Sequence, residues 1–151
     1  MRENCFIDTS VILKVIIENK VELLEKLSEY TLHTSTNVLE EAGFKIIITS
    51  VLEELKAERL SFFKIKDEFE RGIGEKIIAG RLHILNFLKS RFIVLPIDEV
   101  VFDISKEIVE KFKLLPNDAL IAATCKHHGI NKIASFDEDF KRVDFLEVLE
   151  V

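Results

Sequence analysis

The chain has 151 residues, 48% of them apolar and 32% charged, with two prolines and five glycines. That balance fits a globular protein forming one domain over residues 1–151 and excludes a disordered chain or one built on long flexible linkers. A net charge of −6 weighs against a nucleic-acid scaffold, because tight non-specific binding rests on phosphate neutralisation by Lys and Arg; it leaves room for a hydrolase that holds its substrate through cations and a local basic patch.

Asn4 to Asp8 is a short apolar run ending in an acid, which reads as a buried parallel strand. Thr9 and Ser10 then offer caps for a helix with Val11, Ile12, Val15 and Ile16 on its inner side. Val21 to Tyr30 has helical spacing, and Thr31 to Ser35 reads as a second strand. A helix is expected from Asn37 toward Leu55, followed by a charged amphipathic stretch over Lys64 to Ser90 that makes the middle third wholly helical. Phe92 to Leu95 forms a third strand closed by Pro96, and Asp98 to Phe112 an amphipathic helix. Pro116 sits where prolines start helices, and that helix runs to a stop at Gly129. Lys132 to Ser135 is a fourth strand, Phe136 to Phe140 a turn or short helix, and Phe145 to Leu149 a candidate fifth strand. Strands alternating with helices point to a central parallel sheet of four to five short strands with helices on both faces.

Cys5 and Cys125 lie in apolar stretches without a CxxC partner and read as buried reduced thiols. No cationic leader precedes an apolar segment and no apolar run reaches about 18 residues, so neither a signal peptide nor a membrane span is expected and the cytoplasm is the default location. His33, His83, His127 and His128 are scattered and read as solvated surface.

Ligands of open parallel sheets bind beyond the carboxyl ends of the strands. Asp8 ends the first strand, and Asp137 lies just past the fourth. Glu41 falls in the early turns of the helix after the second strand, and Asp118 in the first turn of its own helix. Four acids meeting there would repel one another and resist ionisation, and a hard divalent ion resolves that conflict because Mg²⁺ and Mn²⁺ prefer oxygen ligands. Such an ion activates water and stabilises charge on phosphate oxygens. Each acid also has a bland reading: Asp8 as a helix cap, Asp118 as a charge favourable to the macrodipole, Asp137 as a turn residue. Glu40 competes with Glu41, since Asn37 to Glu40 has capping-box spacing. No Cys/His cluster suggests zinc, and no glycine-rich loop suggests nucleotide binding.

The local strings narrow the choice. Phe6-Ile7-Asp8-Thr9-Ser10, Thr34 to Glu41, Asn117-Asp118-Ala119-Leu120-Ile121-Ala122-Ala123-Thr124 and Ala134-Ser135-Phe136-Asp137-Glu138-Asp139-Phe140 occur in that order. The series resembles the PIN-domain family, including the VapC-type toxins of type II toxin–antitoxin pairs, over roughly residues 1–44 and 96–151. The middle, about residues 45–91, matches no motif of compact VapC toxins.

The resemblance implies a three-layer α/β/α fold, a Mg²⁺ or Mn²⁺ site and endonucleolytic hydrolysis of RNA. By motif position Asp8, Glu41, Asp118 and Asp137 would be the metal acids. Asp139 matches a further acid whose metal role is less constant. Ser10 would support Asp8, and Ser135 takes the place of a small hydroxyl residue, more often Thr, two positions before the last acid. A VapB-type antitoxin covering the acidic groove, and a homodimer, are the partners implied. The rival is a PIN-like module that binds RNA or protein without turnover. A receiver-like signalling domain also clusters acids at a strand edge, but it needs an early acid pair and a late Lys that this chain lacks at those places.

Overall fold

The computed structural model describes residues 1–151. Five short parallel strands form one sheet in the order β3-β2-β1-β4-β5. They are β1 Asn4–Ile7, β2 Thr31–Ser35, β3 Ile93–Leu95, β4 Lys132–Ala134 and β5 Glu147–Leu149. Between β1 and β2 run α1 Thr9–Ile17 and α2 Glu22–Lys26; between β2 and β3 run α3 Thr36–Leu55, α4 Phe62–Glu70 and α5 Glu75–Arg91. The chain then returns through α6 Glu99–Phe112 and α7 Pro116–His127 to β4, and a 3₁₀ turn, Glu138–Arg142, leads to β5.

The strand order carries the architecture. From β1 the chain moves outward to β2 and β3, then jumps back to place β4 on the other side of β1. Right-handed crossovers therefore put α1 to α5 on one face and α6 and α7 on the opposite one. This is the three-layer parallel sheet expected from the alternation of strands and helices. The reversal of direction falls between β1 and β4, where Phe6 pairs with Ile133 and Ile7 with Ala134. At such a switch point the connections diverge to opposite faces and leave a crevice at the strands' carboxyl ends.

A cluster of 29 buried apolar residues surrounds the sheet. Cys5, Phe6 and Ile7 of β1 are inaccessible to solvent, as a central strand covered on both faces requires. In α7, Ala119, Ile121, Ala122, Ala123 and Cys125 are equally buried, and the run of alanines leaves room for α6 to pack closely. Both thiols are free; burial raises their pKa, for Cys5 to about 12, so they pack as small apolar groups.

Several sequence expectations are corrected. The helix expected over Val21 to Tyr30 holds only for Glu22–Lys26. Leu27 ends it, because the chain must enter β2, where the Thr31 N–H donates to the Glu3 carbonyl at 2.8 Å. The middle third is not continuously helical either. A left-handed Lys56 ends α3, and Gly72 and Gly74, with φ of 95° and 79°, separate α4 from α5. Periodic apolar residues on both sides of the glycines share one core-facing role, so the pattern reads through the break. His33, expected on the surface, is 9% exposed, because β2 lies between β1 and β3. Burial lowers its pKa, and Nδ1 faces the Thr31 carbonyl at 3.2 Å.

Candidate metal centre

Asp8 directly follows β1, and its N–H donates to the Ala134 carbonyl at 3.1 Å, so it sits at the switch point itself. It occupies the N-cap position of α1, yet its side chain makes no capping bond. The carboxylate instead accepts from Ser135 Oγ at 2.6 Å and Ser10 Oγ at 2.9 Å. Each hydroxyl is held in turn by a backbone N–H: Asp137 donates to Ser135 Oγ at 3.0 Å and Phe136 to Ser10 Oγ at 3.0 Å. Asp8 is only 4% exposed, and that burial raises its pKa while the two hydroxyls oppose the rise.

Glu41 approaches from α3, two turns beyond β2. Its Oε2 accepts from Thr9 Oγ1 at 2.9 Å and Asn117 Nδ2 at 2.6 Å, while Oε1 pairs with Lys45 at 2.9 Å. Glu40 points to solvent. Asn37 makes no capping box: Ser35 is the N-cap of α3, and Asn37 accepts from Ser35 Oγ and donates to Asn117 Oδ1 at 2.9 Å.

Asp118 lies in the first turn of α7, and Asp137 is the N-cap of the 3₁₀ turn, its carboxylate accepting from the Asp139 N–H at 2.9 Å. Asp118, Asp137 and Asp139 each offer a carboxylate oxygen, and these oxygens all lie within 4.8 Å of one another. Asp139 also receives Arg142 Nη1 at 2.8 Å, while Arg142 ties to the Phe112 and Lys113 carbonyls at the end of α6.

The electrostatics follow from this crowding. The pKa of Asp118 rises from 3.8 to about 6, first through burial and then through repulsion by Asp137, Asp8, Glu41 and Asp139. All the acids expected from the sequence thus act on one carboxyl group. Asp8, Asp118 and Asp137 stand at helix N-termini, whose partial positive charge offsets part of the repulsion. The donor set is all oxygen, without sulfur or imidazole, which suits a hard divalent cation. Asp118, Asp137 and Asp139 are partly exposed, while Asp8 and Ser135 are buried. A cleft of about 660 Å³, lined by Leu24, Leu27, Tyr30 and Phe87 among others, lies at the other end of the sheet, where β2 and β3 begin.

From sequence, Thr9 and Asn37 read only as capping residues, positions that Asp8 and Ser35 occupy instead, and Asn117, Lys45 and Arg142 carried no expected role. A signal existed for two of them: Thr9 and Asn117 each adjoin an acid, Asp8 and Asp118, within the motif strings.

The PIN domain family model matches residues 5–146, including the middle segment that the motifs left unmatched. The chain belongs to the PIN-domain family. Its VapC-type character shows in two relatives from Methanocaldococcus jannaschii. Ribonuclease VapC6 is 35% identical over 158 aligned positions, covering 97% of each chain. Ribonuclease VapC2 is 56% identical over 70 residues, a match spanning 46% of this chain and 47% of that protein. Among solved structures, the DNA-bound VapBC of Salmonella typhimurium superposes with a TM-score of 0.65 at 16% identity, covering 99% of this chain and 98% of the other. At that identity the likeness establishes the PIN fold and no more.

Proposed function

We propose that this PIN-domain chain is a divalent-metal-dependent endoribonuclease, and that Asp8, Glu41, Asp118 and Asp137, with Asp139, form its metal site. The observation that carries the reading is the approach of Asp118, Asp137 and Asp139 carboxylate oxygens to within 4.8 Å of one another, with Asp8 and Glu41 outside that group but near enough to raise the pKa of Asp118. The relatives' designation as ribonucleases makes RNA the substrate.

Mg²⁺ or Mn²⁺, when bound, would activate water and stabilise charge on the scissile phosphate. The chain's own groups would do the rest. Asp118, Asp137 and Asp139 would supply oxygens to the ion, Ser10 and Ser135 would hold Asp8 in place, and the N-termini of α1 and α7 would favour the arriving phosphate. By kinship with VapBC complexes, we also infer a VapB-type antitoxin partner and a homodimer, with the chain acting as a toxin. Phe44, Phe62 and Phe63 support this: they are 45%, 50% and 75% exposed and meet in series, Phe44 tilted against Phe62 and Phe62 edge-on to Phe63, leaving apolar surface for a partner to cover. Residues 1–151 would then act as one PIN unit.

The test is cleavage of single-stranded RNA by purified protein with Mn²⁺ or Mg²⁺. Asp8→Asn is expected to lower kcat at least about a hundredfold, the scale of losing a metal-positioning group. Undiminished cleavage by this variant, or by wild type in excess EDTA, defeats the proposal. Mn²⁺ binding without turnover on any RNA would favour the binding-module alternative.

A further inference from the structure

We propose that Asn117 is a positioning residue that presents Glu41 to the metal in one fixed orientation, through a one-way chain of hydrogen bonds beginning at Ser35. The inference rests on the metal-centre reading above. Ser35 Oγ donates to Asn37 Oδ1 at 2.5 Å, Asn37 Nδ2 donates to Asn117 Oδ1 at 2.9 Å, and Asn117 Nδ2 donates to Glu41 Oε2 at 2.6 Å. The polarity follows from chemistry. An ionised carboxylate only accepts, so Asn117 must turn its amide nitrogen toward Glu41 and its oxygen toward Asn37. Asn37 must then present nitrogen to Asn117 and oxygen to Ser35, whose hydroxyl supplies the first proton. Ser35 is fully buried at the end of β2, which anchors the chain.

The consequence falls on the two oxygens of Glu41. Oε2 takes both fixed donors, Thr9 Oγ1 and Asn117 Nδ2, while Oε1 meets only the half-exposed Lys45 ammonium. A mobile cation at Oε1 can give way to a divalent ion; two neutral donors anchored in separate helices cannot. Asn117 thereby links α7, which carries Asp118, to α3, which carries Glu41, and fixes their spacing before metal arrives.

The experiment titrates Mn²⁺ into the full chain by calorimetry, with thermal unfolding in EDTA alongside. Asn117→Leu is expected to weaken Mn²⁺ binding about tenfold to a hundredfold, as loss of a group orienting a metal ligand does. Thr9→Val, which removes the other donor to Oε2, weakens it in the same sense and keeps the test open if Asn117→Leu fails to fold. Asn37→Leu, which hydrogen-bonds to none of the acids, gives a smaller loss, and the Asn37→Leu/Asn117→Leu double variant binds no more weakly than Asn117→Leu alone. A merely structural role would show instead as lowered thermal stability with unchanged affinity. Wild-type affinity in Asn117→Leu, or additive losses in the double variant, overturns the inference. A wild-type protein that binds no Mn²⁺ overturns the metal-centre reading, and this inference with it.

Discussion

A carboxyl group half withdrawn from water and faced by four others gives up its proton late, and Asp118 is in that position, with a pKa of about 6 against an ordinary 3.8. A divalent ion must displace that proton, so Mn²⁺ affinity is expected to fall as pH drops through about 6; calorimetry between pH 5 and 7.5 checks this, and Asp118→Asn should flatten the profile. Without metal the sign of the stability effect is opposite. Between 3.8 and about 6 the folded state binds more protons at Asp118 than the unfolded chain, so that contribution to stability is present at acid pH and lost as pH rises through about 6. Buried Asp8, whose pKa is also raised, acts in the same sense. At this scale the sequence was legible as residue type: the acids stood in motif strings. Their support was not. That Asp8 leans on Ser135 and Glu41 on Asn117 depends on contacts spanning 127 and 76 positions of chain.

At the scale of elements, α3, α4 and α5 form a helical layer with a small core of its own, Val51, Ile65 and Ile78. The reversal that makes this packing possible is Gly72-Ile73-Gly74. The Gly74 N–H donates to Glu54 Oε2 at 2.6 Å, and a Cβ on Gly74 would stand 3.3 Å from the Ser50 carbonyl group and the Val51 nitrogen. With φ of 79° and backbone that close, Gly74→Ala is expected to destabilise the fold by about 1–3 kcal/mol, read as a lowered midpoint of urea unfolding. A wild-type midpoint would show that the turn relaxes freely. The helical period was visible on both sides of this turn, but the turn was not, because glycine marks a permitted break and only the docking of α5 on α3 makes one necessary. By contrast α6 was legible to within one residue: Asp98, expected as its first residue, is its N-cap and accepts from the Val101 N–H at 3.0 Å, a bond that lies wholly within the local sequence.

For the whole molecule, the order β3-β2-β1-β4-β5 decides where function can lie. It places Asp8 beside Ser135, and it brings α7 back across the sheet to set Asp118 near Asp137 and Asp139. The site is therefore a joint between the two halves of the sheet, and a bound ion would tie them together. Saturating Mn²⁺, at about a hundred times its dissociation constant, is expected to stabilise the fold by about 2.7 kcal/mol. In a chain of 151 residues that corresponds to a rise of about 5–10 °C in the unfolding midpoint. Scanning calorimetry with Mn²⁺ and with EDTA measures it, and coincident midpoints would mean that no ion joins the acids.

The sequence by itself determined the strands, most of the helices and the alternation that demands a parallel sheet. Each of these rests on interactions within a turn or two of chain, or on a hydrophobic period, and both are written locally. Only the tertiary structure decided that β4 returns beside β1, that His33 is enclosed, that the middle helices reverse at Gly72 and Gly74, and that Thr9 and Asn117 donate to Glu41 with Asn37 behind Asn117. Those outcomes depend on which distant surfaces bury each other, and a pair such as Asn117 and Glu41 acquires its meaning only once the sheet has set their distance.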